Sequence, residues 1–209
     1  MNPAELTSLH AVARTGCGLR VDFLRQADRV AHRISLVAGQ QPWPLLDSCE
    51  GSPLDAWPAS PALQEVQFQA QPAAGRVVLA VGMAGTSHWS LSVTAAEDPP
   101  ALLFDVACRV RTQPSWLGSR YRAANTASST QLPAAAECRL AGMACRIEPR
   151  GSQRPEEMRI TASGSEVTIT VPGGEGPLPR TIRWQYGLVL VPGLDHGRVR
   201  PFFLTDELD

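Results

Sequence analysis

The segment ALLFDVACRVR, residues 101 to 111, places apolar and polar side chains at alternate positions. Leu102 and Phe104 belong to the apolar set, whereas Asp105 and Arg109 belong to the polar set. A period of two is typical of a β-strand with one face in a core and the other in solvent. This segment therefore predicts a half-buried strand, and the same pattern recurs along most of the chain.

The recurring pattern predicts an all-β fold. We expect a single domain over residues 1–209, built as a β-sandwich or flattened barrel of about eight to ten mostly antiparallel strands. The predicted strands cover residues 19–23, 30–36, 63–69, 76–82, 88–95, 101–111, 136–148, 157–162, 166–171 and 180–191.

One segment, about residues 3–15, predicts a short helix instead. Pro3 suits the first helical position and Glu5 the place of a capping-box acid. Leu6 and Leu9 then fall near one helical face.

Two hairpins can be aligned from the sequence. In EMRITASGSEVTITV, a turn at Ser163 and Gly164 would set Ile160 opposite Val167. In AECRLAGMACRIEP, a turn at residues 141–142 would set Cys138 opposite Cys145. A continuous bulged strand is an alternative for the second segment, because Ala-Gly is a poor turn sequence.

Two irregular stretches, about residues 38–62 and 112–135, are predicted to be long loops. Loops of this length in a compact domain are commonly functional or disordered. The first is rich in proline and acidic residues, and the second carries arginines without acids. We expect interactions of the protein to involve these loops.

Composition excludes several classes of chemistry. All 19 basic residues are arginine, so mechanisms that need a lysine are closed, including a P-loop and a Schiff base. The net charge of −1 argues against a nucleic-acid partner. No pair of histidines or cysteines has ligand spacing, so neither a metal nor a cofactor is predicted.

The same composition bears on location. No apolar run has the length of a membrane span, and residues 1–16 lack the features of a signal peptide. The five cysteines are scattered and odd in number, which argues against a disulfide framework. We therefore expect a soluble cytoplasmic protein without a membrane partner.

A possible catalytic group occurs in VGMAGTSHWSLSV, residues 81–93. Alternation places His88 on the polar face of a strand, and two pairing registers are plausible, with Asp105 opposite His88 or opposite Ser90. With Ser87 as nucleophile, these residues would form the skeleton of an acyl-transfer site. The alternative is an ordinary polar pair on the solvent face of a hairpin.

A possible binding segment is WLGSRYR, residues 116–122. Trp116 and Tyr121 offer stacking faces, and Arg120 and Arg122 offer bidentate donors, a combination suited to a protein surface or a small anionic ligand. The alternative is that these arginines pair with the acidic segment near residues 47–65.

Three functions remain open on this basis. The preferred one is a non-catalytic binding or protein-interaction module acting through its long loops. The second is a small hydrolase using His88, Asp105 and a nearby serine. The third is a barrel that binds a small apolar ligand, with His32 facing inward.

Overall fold

The computed structural model describes residues 4–71, 75–125, 127–151 and 158–191, and these residues form fifteen strands. In chain order the strands are β1 (Glu5–Val12), β2 (Cys17–Gln26), β3 (Arg29–Ala38), β4 (Gln41–Ser48), β5 (Glu65–Gln71), β6 (Gly75–Ala84), β7 (Ser87–Glu97), β8 (Pro100–Val110), β9 (Gly118–Ala123), β10 (Ser128–Leu132), β11 (Ala135–Leu140), β12 (Met143–Arg150), β13 (Arg159–Ser163), β14 (Glu166–Thr170) and β15 (Arg180–Val191).

The strands form two sheets in which every neighbouring pair is antiparallel. One sheet has seven strands in the order β1-β2-β3-β4-β9-β14-β13. The other has eight strands in the order β10-β11-β12-β15-β8-β7-β6-β5. The predicted all-β fold is thus confirmed in its sandwich form, with more strands than expected.

The core lies between the sheets and follows the alternation seen in the sequence. In β8, Leu102, Phe104 and Val106 are buried, whereas Arg109 on the alternate set is exposed. The outer face of a sheet is the face turned away from the other sheet.

In the described part of the chain, no helix is long and apolar enough to cross a membrane.

The predicted N-terminal helix at about residues 3–15 is wrong. Residues 5–12 form β1, which pairs with β2 and sets Leu9 opposite Val21. Leu9 and Ala11 are buried and His10 between them is exposed, so a period of two also fits this segment. Pairing with β2 outweighs the weak helical pattern, because local propensity is readily overridden by tertiary contacts. Residues 1–3 lie outside the described residues.

Both stretches predicted to be long loops contain strands. Residues 38–62 include β4, which pairs with β3 across an irregularity at residues 34–35. Residues 112–135 include β9 and β10. Prolines 42 and 44 obscure the pattern of β4, and β9 and β10 are only 6 and 5 residues long.

The two aligned hairpins had different outcomes. Cys138 pairs with Cys145 as predicted, and Ala141 adopts the positive φ of 51° that the turn needs. In the other hairpin Ile160 faces Ile169, so the predicted partner Val167 is wrong by two residues. The turn there consists of residues 164–165, and a shift of two keeps every side chain on its expected face.

Candidate binding site

His88 lies on the outer face of the eight-stranded sheet, near the start of β7. Its side chain is exposed, and its partners in register are Met83 of β6 and Arg109 of β8. The neighbouring Ser87 is 1% exposed. Since successive residues of a strand point to opposite faces, Ser87 points toward the core and away from the imidazole.

The structure does not bring His88 and Asp105 together. Asp105 pairs with Ser92, four residues along β7 from His88, which corresponds to about 13 Å. The carboxylate of Asp105 instead receives two hydrogen bonds from Arg183 and one from Gln185. The predicted register is wrong here, and the described residues provide no catalytic arrangement around His88.

The pKa of Asp105 reflects its actual partners. Partial burial raises the pKa, but the hydrogen bonds from Arg183 and Gln185 and the charge of Arg183 outweigh this and lower it below the ordinary value. Asp105 is therefore an ionised partner of Arg183 at neutral pH and does not act as a proton acceptor.

An open pocket of about 540 Å³ lies at His88. Its base is formed by Ser90 and Ala107, which face each other in register. Larger side chains surround these two small ones, and the sheet is therefore indented here. We define the His88 pocket by six of its lining residues, Val81, Met83, His88, Ser90, Ala107 and Arg109.

The rim of the His88 pocket combines apolar and basic groups. Val81 and Met83 are exposed, at 49% and 42%. Arg109 is also exposed and forms no ion pair with any carboxylate among the described residues, although Arg183 on the same face is paired with Asp105. Glu65 also lines the pocket, opposite Val81, and adds an acidic group to it. The pocket thus offers, beside apolar surface, a guanidinium that no described carboxylate pairs with.

The four residues of the predicted binding segment are divided between two environments. Tyr121 is fully buried in the core, whereas Arg122 is exposed on the outer face of the seven-stranded sheet. Trp116 is half-buried, and the guanidinium of Arg120 lies 5.9 Å from its ring centroid. The segment does not present one exposed aromatic and basic cluster.

Arg122 also has acidic neighbours. In register it lies between Asp47 of β4 and Glu166 of β14. Asp47 forms an ion pair with Arg33 on its other side. Positive and negative side chains therefore alternate across the outer face of this sheet, although no ion pair joins Arg122 to either neighbour among the described residues.

A buried polar network not predicted from the sequence joins the two sheets. The imidazole Nε2 of His32 lies 2.9 Å from the hydroxyl of Tyr121, which lies 2.6 Å from the hydroxyl of Tyr186. Burial lowers the pKa of His32 to about 4 and raises the pKa of Tyr186 to about 12. At neutral pH these three groups are uncharged.

Aromatic rings fill the space around His32. The centroids of Phe23, Phe104 and Tyr121 lie 5.4 to 5.9 Å from the imidazole centroid. His32 is thus a hydrogen-bonded core histidine. This packing gives no support to the hypothesis of a barrel with an open ligand cavity beside it.

Glu50 is the second buried group that the sequence did not indicate. The backbone N–H of His32 donates to Ser48 Oγ at 2.8 Å, and the Ser48 hydroxyl donates to Glu50 Oε1. Burial raises the pKa of Glu50 to about 7, although the Ser48 hydrogen bond and the charge of Arg29 act in the opposite direction. Glu50 lies in the proline-rich segment that the sequence marks as a loop, where nothing signals burial.

The described residues contain no group of three or more His, Cys, Asp or Glu side chains placed to hold a metal ion. Fold and site together define a two-sheet antiparallel β-sandwich with a solvent-open pocket on the outer face of one sheet.

No protein-family model, curated protein or solved structure matches the chain.

Proposed function

We propose that the protein is a non-catalytic binding module and that its ligand is a small amphipathic anion held in the His88 pocket. The observation that carries this proposal is the direct pairing of His88 and Arg109 at a pocket whose base is formed by small residues. Arg109 has no acidic partner among the described residues, and such a guanidinium favours a carboxylate or phosphate, which it can bind through two parallel hydrogen bonds.

Three other lining residues support an apolar body on that anion. Val81 and Met83 offer exposed apolar surface beside the basic pair, and Ala107 leaves space over the sheet. A volume of about 540 Å³ lies within the usual range for small-molecule sites, roughly 300–1,000 Å³. An aromatic or short aliphatic carboxylate matches this combination of size, charge and apolar surface.

Binding without catalysis is favoured by the surroundings of His88. Its expected carboxylate partner is engaged by Arg183, and Ser87 is buried on the other face of the strand. Acyl transfer needs a nucleophile in contact with its base, and that base in turn held by a third group.

We further propose that the module acts in the cytoplasm. All five cysteines are free, including Cys138 and Cys145, which face each other on adjacent strands. An odd number of scattered cysteines argues against a disulfide framework and so supports a reducing compartment.

Isothermal titration calorimetry with defined probes tests the binding function. We expect 1-naphthoate to bind, inorganic phosphate to bind more weakly for lack of an apolar body, and 1-naphthalenemethanol to bind more weakly for lack of a charge. Arg109→Ala should weaken naphthoate binding about tenfold, as expected for the loss of a charge-assisted hydrogen bond.

Arg122→Ala is the matched control, because it removes the same charge from the outer face of the other sheet. It should leave naphthoate affinity unchanged. Equal weakening by Arg109→Ala and Arg122→Ala would indicate a general charge effect, and absence of binding by every probe would contradict the proposed ligand class.

A further inference from the structure

The two lateral margins of the sandwich differ in how their edge strands are covered. At one margin β13 and β10 lie together, and the side chain of Gln131 occupies the edge of β13. Its amide oxygen accepts the N–H of Ala162 at 2.7 Å, and its amide nitrogen donates to the carbonyl of Ile160 at 3.1 Å. Ser129 Oγ donates to the carbonyl of Gly164 at 2.7 Å. This margin is closed by side chains.

At the margin formed by β1 and β5, the described residues provide no such side-chain cover. Among the described residues β5 pairs only with β6, so its other edge has no strand partner. Phe68 of β5 lies opposite Val78, which is fully buried, and so belongs to the core-facing set of its strand. Nevertheless Phe68 is 44% exposed, and Leu6 of the edge strand β1 is 40% exposed.

β5 also lacks the features that usually prevent an edge from pairing with another chain. Residues 66–71, VQFQAQ, contain no charged residue, proline or glycine. Edge strands of monomeric proteins are typically short, charged, bulged or covered. The single charge of β5 lies at its first residue, Glu65, and an edge that is uncharged beyond it and carries a half-exposed aromatic ring is typical of a strand that pairs across an interface.

We propose that a second copy of the chain pairs with this edge, β5 against β5 in antiparallel orientation about a two-fold axis at Phe68. In this register Gln67 faces Gln69 of the other copy, and Glu65 faces Gln71. No two like charges meet, so the strand is complementary to itself. A two-fold interface uses the same surface on both copies, as this strand allows.

Pairing through β5 joins two eight-stranded sheets into one continuous sheet and covers both Phe68 rings. The main-chain hydrogen bonds supply attraction along the strand, and the phenyl rings supply apolar burial at its centre. This proposal is independent of the ligand in the His88 pocket, since it rests on the strand edge alone.

Sedimentation equilibrium of the full chain, at about 1 to 500 µM, tests the proposal. We expect a dimer mass at the upper concentrations for the unmodified protein. Phe68→Lys and Phe68→Glu should each be monomeric, because like charges then face each other across the axis. An equimolar mixture of the two variants should recover the dimer mass, since opposite charges then meet.

Leu54→Lys is the matched control, because Leu54 is 95% exposed and lies outside β5. It should retain the dimer. Phe68 faces the core, so its replacement could disturb folding. The double variant Gln67→Glu with Gln69→Glu changes only exposed positions on the outer face and should also give a monomer.

Circular dichroism of each variant should show the β signal of the unmodified protein. An unmodified protein that is monomeric at every concentration would overturn the proposal. A dimer that persists in the Phe68 and Gln67/Gln69 variants would also overturn it, because the interface must then lie elsewhere.

Discussion

The hydroxyl groups of Tyr121 and Tyr186 lie 2.6 Å apart in the core and share a hydrogen bond that links the two sheets. Tyr121 belongs to β9 of the seven-stranded sheet and Tyr186 to β15 of the eight-stranded sheet. His32 extends this link to β3. Hydrogen bonds between buried groups depend on alignment, so this network helps define how the sheets pack.

Removing the hydroxyl of Tyr121, at the centre of the network, should lower the free energy of unfolding more than removing the hydroxyl of Tyr186 at its end. Tyr121→Phe leaves both His32 Nε2 and the Tyr186 hydroxyl without their partner, which should lower the free energy of unfolding by about 2 to 3 kcal/mol. Tyr186→Phe leaves the bond between His32 and Tyr121 intact and should cost about 1 kcal/mol.

Urea unfolding of the two single variants and the double variant measures this difference. The double variant should cost less than the sum of the single ones, because both remove the same hydrogen bond. Additive costs would show that the two hydroxyl groups are not energetically coupled.

Replacing Glu50 should change how stability depends on pH. In the folded state the pKa of Glu50 is raised from 4.5 to about 7, so the fold retains a proton that the unfolded chain releases. This stabilising contribution is fully present below pH 4.5 and is lost as pH rises to about 7. Glu50→Gln stays neutral, so it should gain stability relative to the unmodified protein over this range, by up to about 3 kcal/mol.

His32 acts in the opposite direction over nearly the same pH range. Its pKa is lowered to about 4, so the stability it contributes is present above pH 6.5 and is lost as pH falls through about 4. The two effects oppose each other in the unmodified protein, so chemical unfolding from pH 4 to pH 8.5 should show that stability rises more steeply with pH in Glu50→Gln. An identical pH profile in both proteins would show that Glu50 is not a buried, proton-holding group.

The five cysteines should differ sharply in reactivity. Cys108, Cys138 and Cys145 are buried, and burial raises the pKa of Cys108 and of Cys138 to about 12. The reactive species is the thiolate, so these three should resist a thiol reagent at pH 8. Only Cys17 and Cys49, which are partly exposed, should react in the native protein.

A chromogenic disulfide reagent counts the reactive thiols directly. We expect at most two thiols in native protein and all five in denaturant. Rapid reaction of more than two thiols under native conditions would contradict the packing around β11, β12 and β8.

Gly82 should not tolerate a side chain. A Cβ atom at this position would overlap the carbonyl oxygen of Ala62 and lie 2.9 Å from the Cα of Leu63, both of them backbone atoms. Gly82→Ala must therefore displace the backbone of residues 62–64, which should lower the free energy of unfolding by about 3 kcal/mol or more. Val81→Ala at the neighbouring exposed position is the control and should cost less than 1 kcal/mol.

Thermal unfolding compares the stabilities of the two variants. A melting temperature for Gly82→Ala equal to that of Val81→Ala would show that the backbone of residues 62–64 can move away without loss of stability.

Alternation predicted which faces of the strands are buried, but it could not determine register. Any shift by two residues keeps the same faces, so His88 or Ser90 could equally have faced Asp105. The two-residue turn between Glu97 and Pro100 sets Ser92 there instead. Register depends on turn length, and the sequence of this turn does not reveal it.

The remaining differences have the same origin in long-range contacts. The helical pattern of residues 5–12 is overridden by pairing of β1 with β2, and β4 forms a strand through its pairing with β3 and β9. The sequence indicated part of the His88 pocket, because alternation placed His88 and Arg109 each on the polar face of a predicted strand. That they are neighbours follows only from the register. The position of Glu50 in the core has no counterpart in local sequence.

The most direct test of ligand binding at the His88 pocket is a titration of ¹⁵N-labelled protein with 1-naphthoate, followed by amide chemical shifts. We expect saturable shifts confined to residues around the pocket, above all His88, Ser90, Ala107 and Arg109, and their loss in Arg109→Ala. Shifts that do not saturate, or that cluster on the outer face of the seven-stranded sheet, would contradict the assignment of this pocket as the binding site.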